Sequence, residues 1–130
     1  MNAVERYSEV IGRILIAVIF LVSGFRKAVD WEGTAGYMEA MGMVAVPLFL
    51  ILAMIVELAG GLSLLSGFKV SWGALALFLF LIPVTLIFHG WWRFPEDEQE
   101  IEMIMFLKNL AIMGGLLFIF ARSTASRGKL

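Results

Sequence analysis

Three residues able to exchange protons interrupt the long apolar runs of this chain. Glu57 stands inside LAMIVELAGGLSLL (residues 52–65), His89 closes another apolar run, and Lys108 lies within a third. A carboxylate, an imidazole and an ammonium in one buried site can pass a proton to a bound molecule. Glu57, His89 and Lys108 are therefore the candidate catalytic residues.

Four further residues are candidates for binding a ligand. Ser23, Lys27 and Asn109 offer hydrogen bonds, and Trp91 offers a flat aromatic face. Each candidate also has a purely structural explanation. Lys27 can anchor a helix at the membrane interface, His89 can cap a helix, and Trp91 can belong to an aromatic belt.

Glu57 lies about ten residues into its apolar segment, which places it roughly 15 Å deep in a membrane. A charge at that depth costs on the order of 2.5–3.5 kcal/mol and needs a partner. The fourth apolar segment supplies Lys108 and Asn109 at a similar depth. The pairs Gly60–Gly61 and Gly114–Gly115 allow close helix contact. These features predict that the second and fourth membrane helices are neighbours, joined by a Glu57–Lys108 ion pair that is either functional or only structural.

The polar side chains are unevenly distributed between the two halves of the membrane. All seven candidate residues fall between the bilayer centre and one boundary, which predicts a one-sided polar pocket. The opposite half contains mainly Arg13, for which Glu9, four residues earlier, is the expected partner.

Composition places these residues in a membrane protein. The chain has 130 residues, of which 61% are hydrophobic and 16% charged, and its mean hydropathy is +0.91. Soluble domains average about 25% charged residues. The absence of cysteine and the single histidine argue against a thiolate, iron–sulfur or other intrinsic metal site, and the net charge of −1 gives no basis for nucleic-acid binding.

The hydropathy pattern predicts an all-α, integral membrane four-helix bundle in one domain, residues 1–130. The helices are expected at approximately residues 10–27, 47–65, 72–89 and 96–121, because about 20 apolar residues span a bilayer. A short interfacial helix is expected at residues 34–42 in the first loop, and a flexible tail at residues 122–130.

Basic residues predict the orientation in the membrane. The side that contains both termini has five lysines and arginines outside the apolar segments, against three on the opposite side. Cytoplasmic loops carry the excess of basic residues, so both termini are expected in the cytoplasm of a multi-pass inner (cytoplasmic) membrane protein.

Several ordered segments carry a family resemblance. GRILIAVIFLVSGFRK, GTAGYMEAMGM, VELAGGLSLLSGF, TLIFHGWW and FLKNLAIMGGLL occur in this order over residues 12–118. Together they resemble the DoxX family of small four-helix membrane proteins. The resemblance implies association with a quinone-linked oxidoreductase, as in the thiosulfate:quinone oxidoreductase that gave the family its name. The positions shared with the family pattern are Ser23, Lys27, Glu57, His89, Lys108 and Asn109.

Three functions remain open on the sequence. The first is a subunit of a quinone-linked oxidoreductase or respiratory complex, with the pocket binding a quinone and a partner supplying the electrons. The second is a non-catalytic accessory subunit that contacts other membrane proteins or further copies of itself within the lipid bilayer. The third, a small transporter, is disfavoured because four helices enclose little volume.

Overall fold

The computed structural model describes residues 1–128, which form five α-helices and one short 3₁₀ turn. The helices are α1 (Ala3–Val29), α2 (Trp31–Ala40), α3 (Val46–Ser66), α4 (Val70–Phe88) and α5 (Glu96–Arg127), and the 3₁₀ turn is Trp91–Arg93. Four of them, α1, α3, α4 and α5, are long and apolar enough to cross a membrane. The predicted all-α bundle with four spanning helices and a short helix in the first loop is confirmed.

The helix ends differ from the expected ones mainly at the chain termini. α1 begins at Ala3 because Asn2 and Glu5 form a reciprocal capping box. α2 covers Trp31–Ala40 instead of residues 34–42, and the Asp30 side chain accepts a hydrogen bond from the Gly33 amide at its start. α5 continues to Arg127, so residues 122–127 are helical and not part of a flexible tail. Residues 129 and 130 of that predicted tail lie outside the described residues.

The spanning helices alternate in direction, which gives the bundle two distinct ends. The α2 end carries α2 and the 3₁₀ turn, and the terminal end carries the N-terminus, the α3–α4 turn and the end of α5. α3 packs against α1 and α4, α4 also packs against α5, and α1 touches α5 over a smaller area. Within residues 1–128, α3 and α5 lie diagonally opposite and do not pack together, so the predicted contact between the second and fourth membrane helices is wrong.

The glycines explain which helices approach closely. A Cβ on Gly60 would lie 2.6 Å from Leu77 Cγ in α4, and one on Gly61 would lie 2.8 Å from Leu21 in α1. Neighbouring residues of a helix point about 100° apart, so Gly60 lies against α4 while Gly61 lies against α1. Gly114 differs, because a Cβ added there would have no described atom of another residue's side chain or of a neighbouring helix within 4 Å. It therefore contributes no close contact to the bundle.

The apolar core fills the bundle between the helices. Its fully buried leucines are Leu64 of α3, Leu77 of α4 and Leu116 of α5, and a smaller cluster joins Met38 of α2 to Leu50 of α3. The second cluster holds α2 against the start of α3. α2 therefore covers one end of the bundle.

Arg13 stabilises the terminal end by capping α3. Its Nη1 donates a hydrogen bond of 2.9 Å to the Leu64 carbonyl, close to the negative end of that helix. Glu9 instead faces Arg122 of α5, with its Oε2 3.4 Å from Nε. The predicted Glu9–Arg13 pair is wrong because each residue finds its partner on another helix.

Candidate ligand site in the bundle

A cavity of about 340 Å³ lies between the four spanning helices on the side of α2. Its volume falls within the range of roughly 300–1,000 Å³ found for small-molecule sites. Most of the wall is apolar, with phenylalanines from α1 and α4. The wall also includes six of the seven candidate residues, namely Ser23, Lys27, Glu57, His89, Lys108 and Asn109.

Glu57 is the most deeply buried charged residue in the described chain, with 2% of its side chain exposed. Its Oε1 lies 2.7 Å from Lys27 Nζ in α1, and no other described group donates a hydrogen bond to that oxygen. Lys27 Nζ also donates a hydrogen bond of 2.7 Å to Ser23 Oγ, one turn earlier in α1. The partner of Glu57 is therefore Lys27, and the predicted Glu57–Lys108 pair is wrong.

Helix direction explains this pairing. Side chains of an α-helix point back toward its N-terminus. Lys27 is near the end of α1, so its side chain runs down into the bundle toward Ser23. Glu57 is on the antiparallel α3, so its side chain rises toward the α2 end. The two side chains meet at the cavity wall, and Lys27 does not act as an interfacial anchor.

Lys108 occupies the opposite wall, on α5. Its Nζ donates to Met105 Sδ at 3.3 Å, and no described carboxylate lies within 4.0 Å of it. A thioether is a weak acceptor, so this contact leaves the ammonium largely unsatisfied. The cavity thus has one neutralised lysine, Lys27, and one lysine whose charge is unmatched within the described chain.

Asn109 joins α5 to α4 beside Lys108. Its Nδ2 donates a hydrogen bond of 3.1 Å to Thr85 Oγ1, and both side chains are buried. An amide nitrogen carries two hydrogens, so one N–H is left for another acceptor. Asn109 can therefore hold the helices together and still contact a molecule in the cavity.

His89 connects the cavity to the start of α5. Its Nδ1 lies 2.7 Å from Glu102 Oε2, and Nε2 makes no hydrogen bond to a described residue. A carboxylate only accepts, so Nδ1 carries the hydrogen in this contact. Sequence reasoning missed Glu102 because it belongs to an acidic run that is typical of a solvated helix start.

The aromatic wall is formed by residues other than Trp91. Tyr37 of α2 stacks on Phe88 of α4 with ring centroids 5.5 Å apart, and both rings line the cavity. Trp91 lies in the 3₁₀ turn, packs edge-on against Trp92, and does not line the cavity. Tyr37 and Phe88, and not Trp91, are placed where they can cover a planar ligand.

Tyr37 remains a hydrogen-bond donor at this site. Partial burial raises the pKa of its phenol, and the negative charges of Glu102 and Glu98 raise that pKa further. The hydroxyl therefore stays protonated through the physiological pH range.

A family model described as DoxX matches residues 9–90, which is more than half of the chain. The chain belongs to the DoxX family. The match runs from α1 through the end of α4, so it includes Ser23, Lys27, Glu57 and His89, while α5 lies beyond it.

Two inner membrane proteins of Escherichia coli K12 are similar to this DoxX-family chain. It is 36% identical to inner membrane protein YqjF over 120 residues, which cover 92% of the chain and 86% of the relative. It is 29% identical to inner membrane protein YphA over 109 residues, covering 84% and 78%. No solved structure matches the chain. These relatives and the four apolar helices support a multi-pass protein of the inner membrane.

Proposed function

We propose that the cavity binds the ring of a quinone, and that the chain is a membrane subunit associated with a quinone-linked oxidoreductase or respiratory complex. The observation that carries this proposal is Lys108, a cavity-lining ammonium with no described carboxylate partner. Lys108 is exposed on α5 beside the cavity. An unpaired ammonium facing the bilayer is expensive, and a ligand oxygen in the adjoining cavity would stabilise it.

The arrangement of donors suits a molecule with two carbonyl groups. α1 presents the Lys27 ammonium and the Ser23 hydroxyl on one side of the cavity, while α5 presents Lys108 and Asn109 on another. Phe88, stacked on Tyr37, adds aromatic surface to the same cavity. A planar quinone can accept a hydrogen bond at each end while its ring packs against aromatic side chains.

Quinone reduction also requires two protons and two electrons. The contact between His89 and Glu102 leads from the cavity toward the acidic first turn of α5, which gives protons a route from water. The electrons would come from a partner subunit or a soluble donor. The distribution of basic residues favours placing both termini in the cytoplasm and the α2 end on the outer side.

Binding to the protein in lipid nanodiscs tests this function. Menadione, a quinone without a long tail, should bind saturably to the wild type and at least tenfold more weakly to Lys108→Met. Glu57→Gln and His89→Ala should also weaken binding, because each alters the polar wall. Lys69→Met is the matched control, since Lys69 is an exposed lysine of the α3–α4 turn.

Equal affinity of the wild type and Lys108→Met for menadione would contradict the proposed site. If Lys69→Met weakens menadione binding as much as Lys108→Met does, the loss of affinity reflects only the general effect of removing a positive charge. Either result would remove the reason for assigning a quinone to this cavity.

The second candidate is an accessory subunit without a ligand. α5 favours it, because only Asn109 and Leu116 of this 32-residue helix are buried. A partner helix with a carboxylate could cover α5 and pair with Lys108. Under this alternative, Lys108→Met would release a stoichiometric partner on native gels, and the wild type would not bind menadione.

A further inference from the structure

A groove on the membrane-facing surface of α1 borders the cavity. It is an open groove of about 690 Å³, lined along α1 by Leu15, Val18 and Val22. Ser23 and Lys27 line both the groove and the cavity, as do Ile19 and Thr34. The groove and the cavity therefore adjoin at these four residues, and side chains, not the α1 backbone, form the boundary between them.

The groove faces the hydrocarbon region of the bilayer along most of its length. Leu15, Val18 and Val22 are 68%, 49% and 52% exposed and carry no polar atom in their side chains. The distance from Leu15 to Val22 is about 10 Å at the rise of an α-helix. This is room for a short apolar chain lying along α1.

We propose that this groove holds the isoprenoid tail of a membrane quinone whose ring occupies the cavity, and that the ligand enters sideways from the bilayer past Ile19 and Ser23. The inference rests on the proposed function, because it assigns the tail of the same ligand. It adds a binding position for the tail and an entry route from the lipid phase.

The charges at the α2 end of the groove favour this occupant over an anionic phospholipid. Lys27 is neutralised by Glu57, and Asp30 places a carboxylate at the same end of the groove as Arg26. These charges balance, so an anionic headgroup would find no net attraction there. A quinone instead brings no charge to this end, because its polar ring lies deeper, in the cavity.

A photoreactive ligand tests where the tail lies. A quinone carrying a diazirine at the end of a geranyl tail is bound to the protein in nanodiscs, irradiated, and located by peptide mass spectrometry. Labelling should concentrate on residues 15–22 of α1, and an excess of tail-free menadione should reduce it at least tenfold. Labelling spread over α4 and α5, or unaffected by menadione, would overturn the tail assignment.

Filling the groove provides a second, independent test. Val22→Trp adds bulk to a position that does not line the cavity, so menadione affinity should remain unchanged. The affinity for the geranyl quinone should fall about tenfold, equivalent to ~1.4 kcal/mol. Leu86→Trp, a substitution at an exposed residue of α4, is the control and should change neither affinity.

The two proposals fail in different ways. If Val22→Trp binds both quinones as the wild type does, the assignment of the tail to the groove is wrong, while the proposed ring site still stands. Absence of menadione binding by the wild type overturns the ring site and the groove together.

Discussion

The ion pair between Lys27 and Glu57 should be a major source of stability that depends on both partners. At 2.7 Å the attraction is about 6 kcal/mol for an effective dielectric constant of roughly 20, before desolvation is subtracted. Removing one member of a buried pair costs about 3–5 kcal/mol, since the other charge is left uncompensated. Lys27→Met leaves the Glu57 carboxylate, which is 2% exposed, without its partner. We therefore expect the free energy of unfolding to fall by about 3 kcal/mol.

The two single substitutions should lower the free energy of unfolding by different amounts. Glu57→Gln leaves behind Lys27, which is 23% exposed and keeps its hydrogen bond to Ser23, so we expect a loss of only about 1 kcal/mol. The double variant should be little worse than Glu57→Gln alone, which corresponds to a coupling energy of about 2–3 kcal/mol.

Reversible unfolding in mixed micelles, with sodium dodecyl sulfate as the denaturant, measures these free energies. Lys108→Met is the matched control, and it should not destabilise the bundle, because it breaks no ion pair in the described chain and removes an unpaired charge. Strong coupling of Glu57 to Lys108 and none to Lys27 would refute the pairing described above.

Two further substitution sets address helix packing and the pH response. Gly60→Ala should destabilise the bundle by about 1–3 kcal/mol, because the added Cβ would collide with a leucine of α4. Gly114→Ala should stabilise it by about 0.5–1 kcal/mol, because alanine favours the helix and the added Cβ meets no neighbouring helix. Equal effects of the two substitutions in the same unfolding assay would contradict the helix packing described above. In Tyr7→Phe, which leaves Tyr37 as the single tyrosine, the absorbance titration of the phenol should have a midpoint above about pH 10. Because the folded-state pKa is raised, the phenol's contribution to stability should be constant below about pH 10 and fall as the pH rises through the raised value. Glu102→Gln should lower the midpoint, and an unchanged midpoint would show that its charge does not act on the phenol.

The sequence predicts the helices and the depth of the polar groups well, for physical reasons. A span requires about 20 apolar residues, so hydropathy locates the four long helices. A helix rises about 1.5 Å per residue, so counting along it places Glu57, Lys108 and Asn109 near one level. All three residues do line one cavity.

Depth does not determine which helices touch, and this is where the sequence-based pairing is wrong. Several orders of four antiparallel helices satisfy the same hydropathy pattern. The order found places α5 diagonally across from α3, so Lys108 does not pair with Glu57. One feature of the sequence could have predicted the correct pair. Helical side chains point toward the N-terminus of their helix, so the Lys27 side chain points into the bundle toward Glu57.

A second omission concerns residues that look solvated. Glu102 belongs to the run PEDEQEIE, in which most side chains are exposed, and only the fold shows that it reaches His89. The same reasoning applies to Tyr37, whose place over the cavity depends on how α2 packs on α3. The sequence around each of these residues is typical of a protein surface, and only the tertiary contacts place them at the cavity.

Native mass spectrometry of the protein released gently from its own membrane tests the central claim most directly. The wild type should retain a small molecule of quinone mass, and Lys108→Met, prepared in the same way, should retain much less. A constant protein partner with no small ligand in either preparation would contradict quinone binding and leave the polar cavity as a structural feature of an accessory subunit.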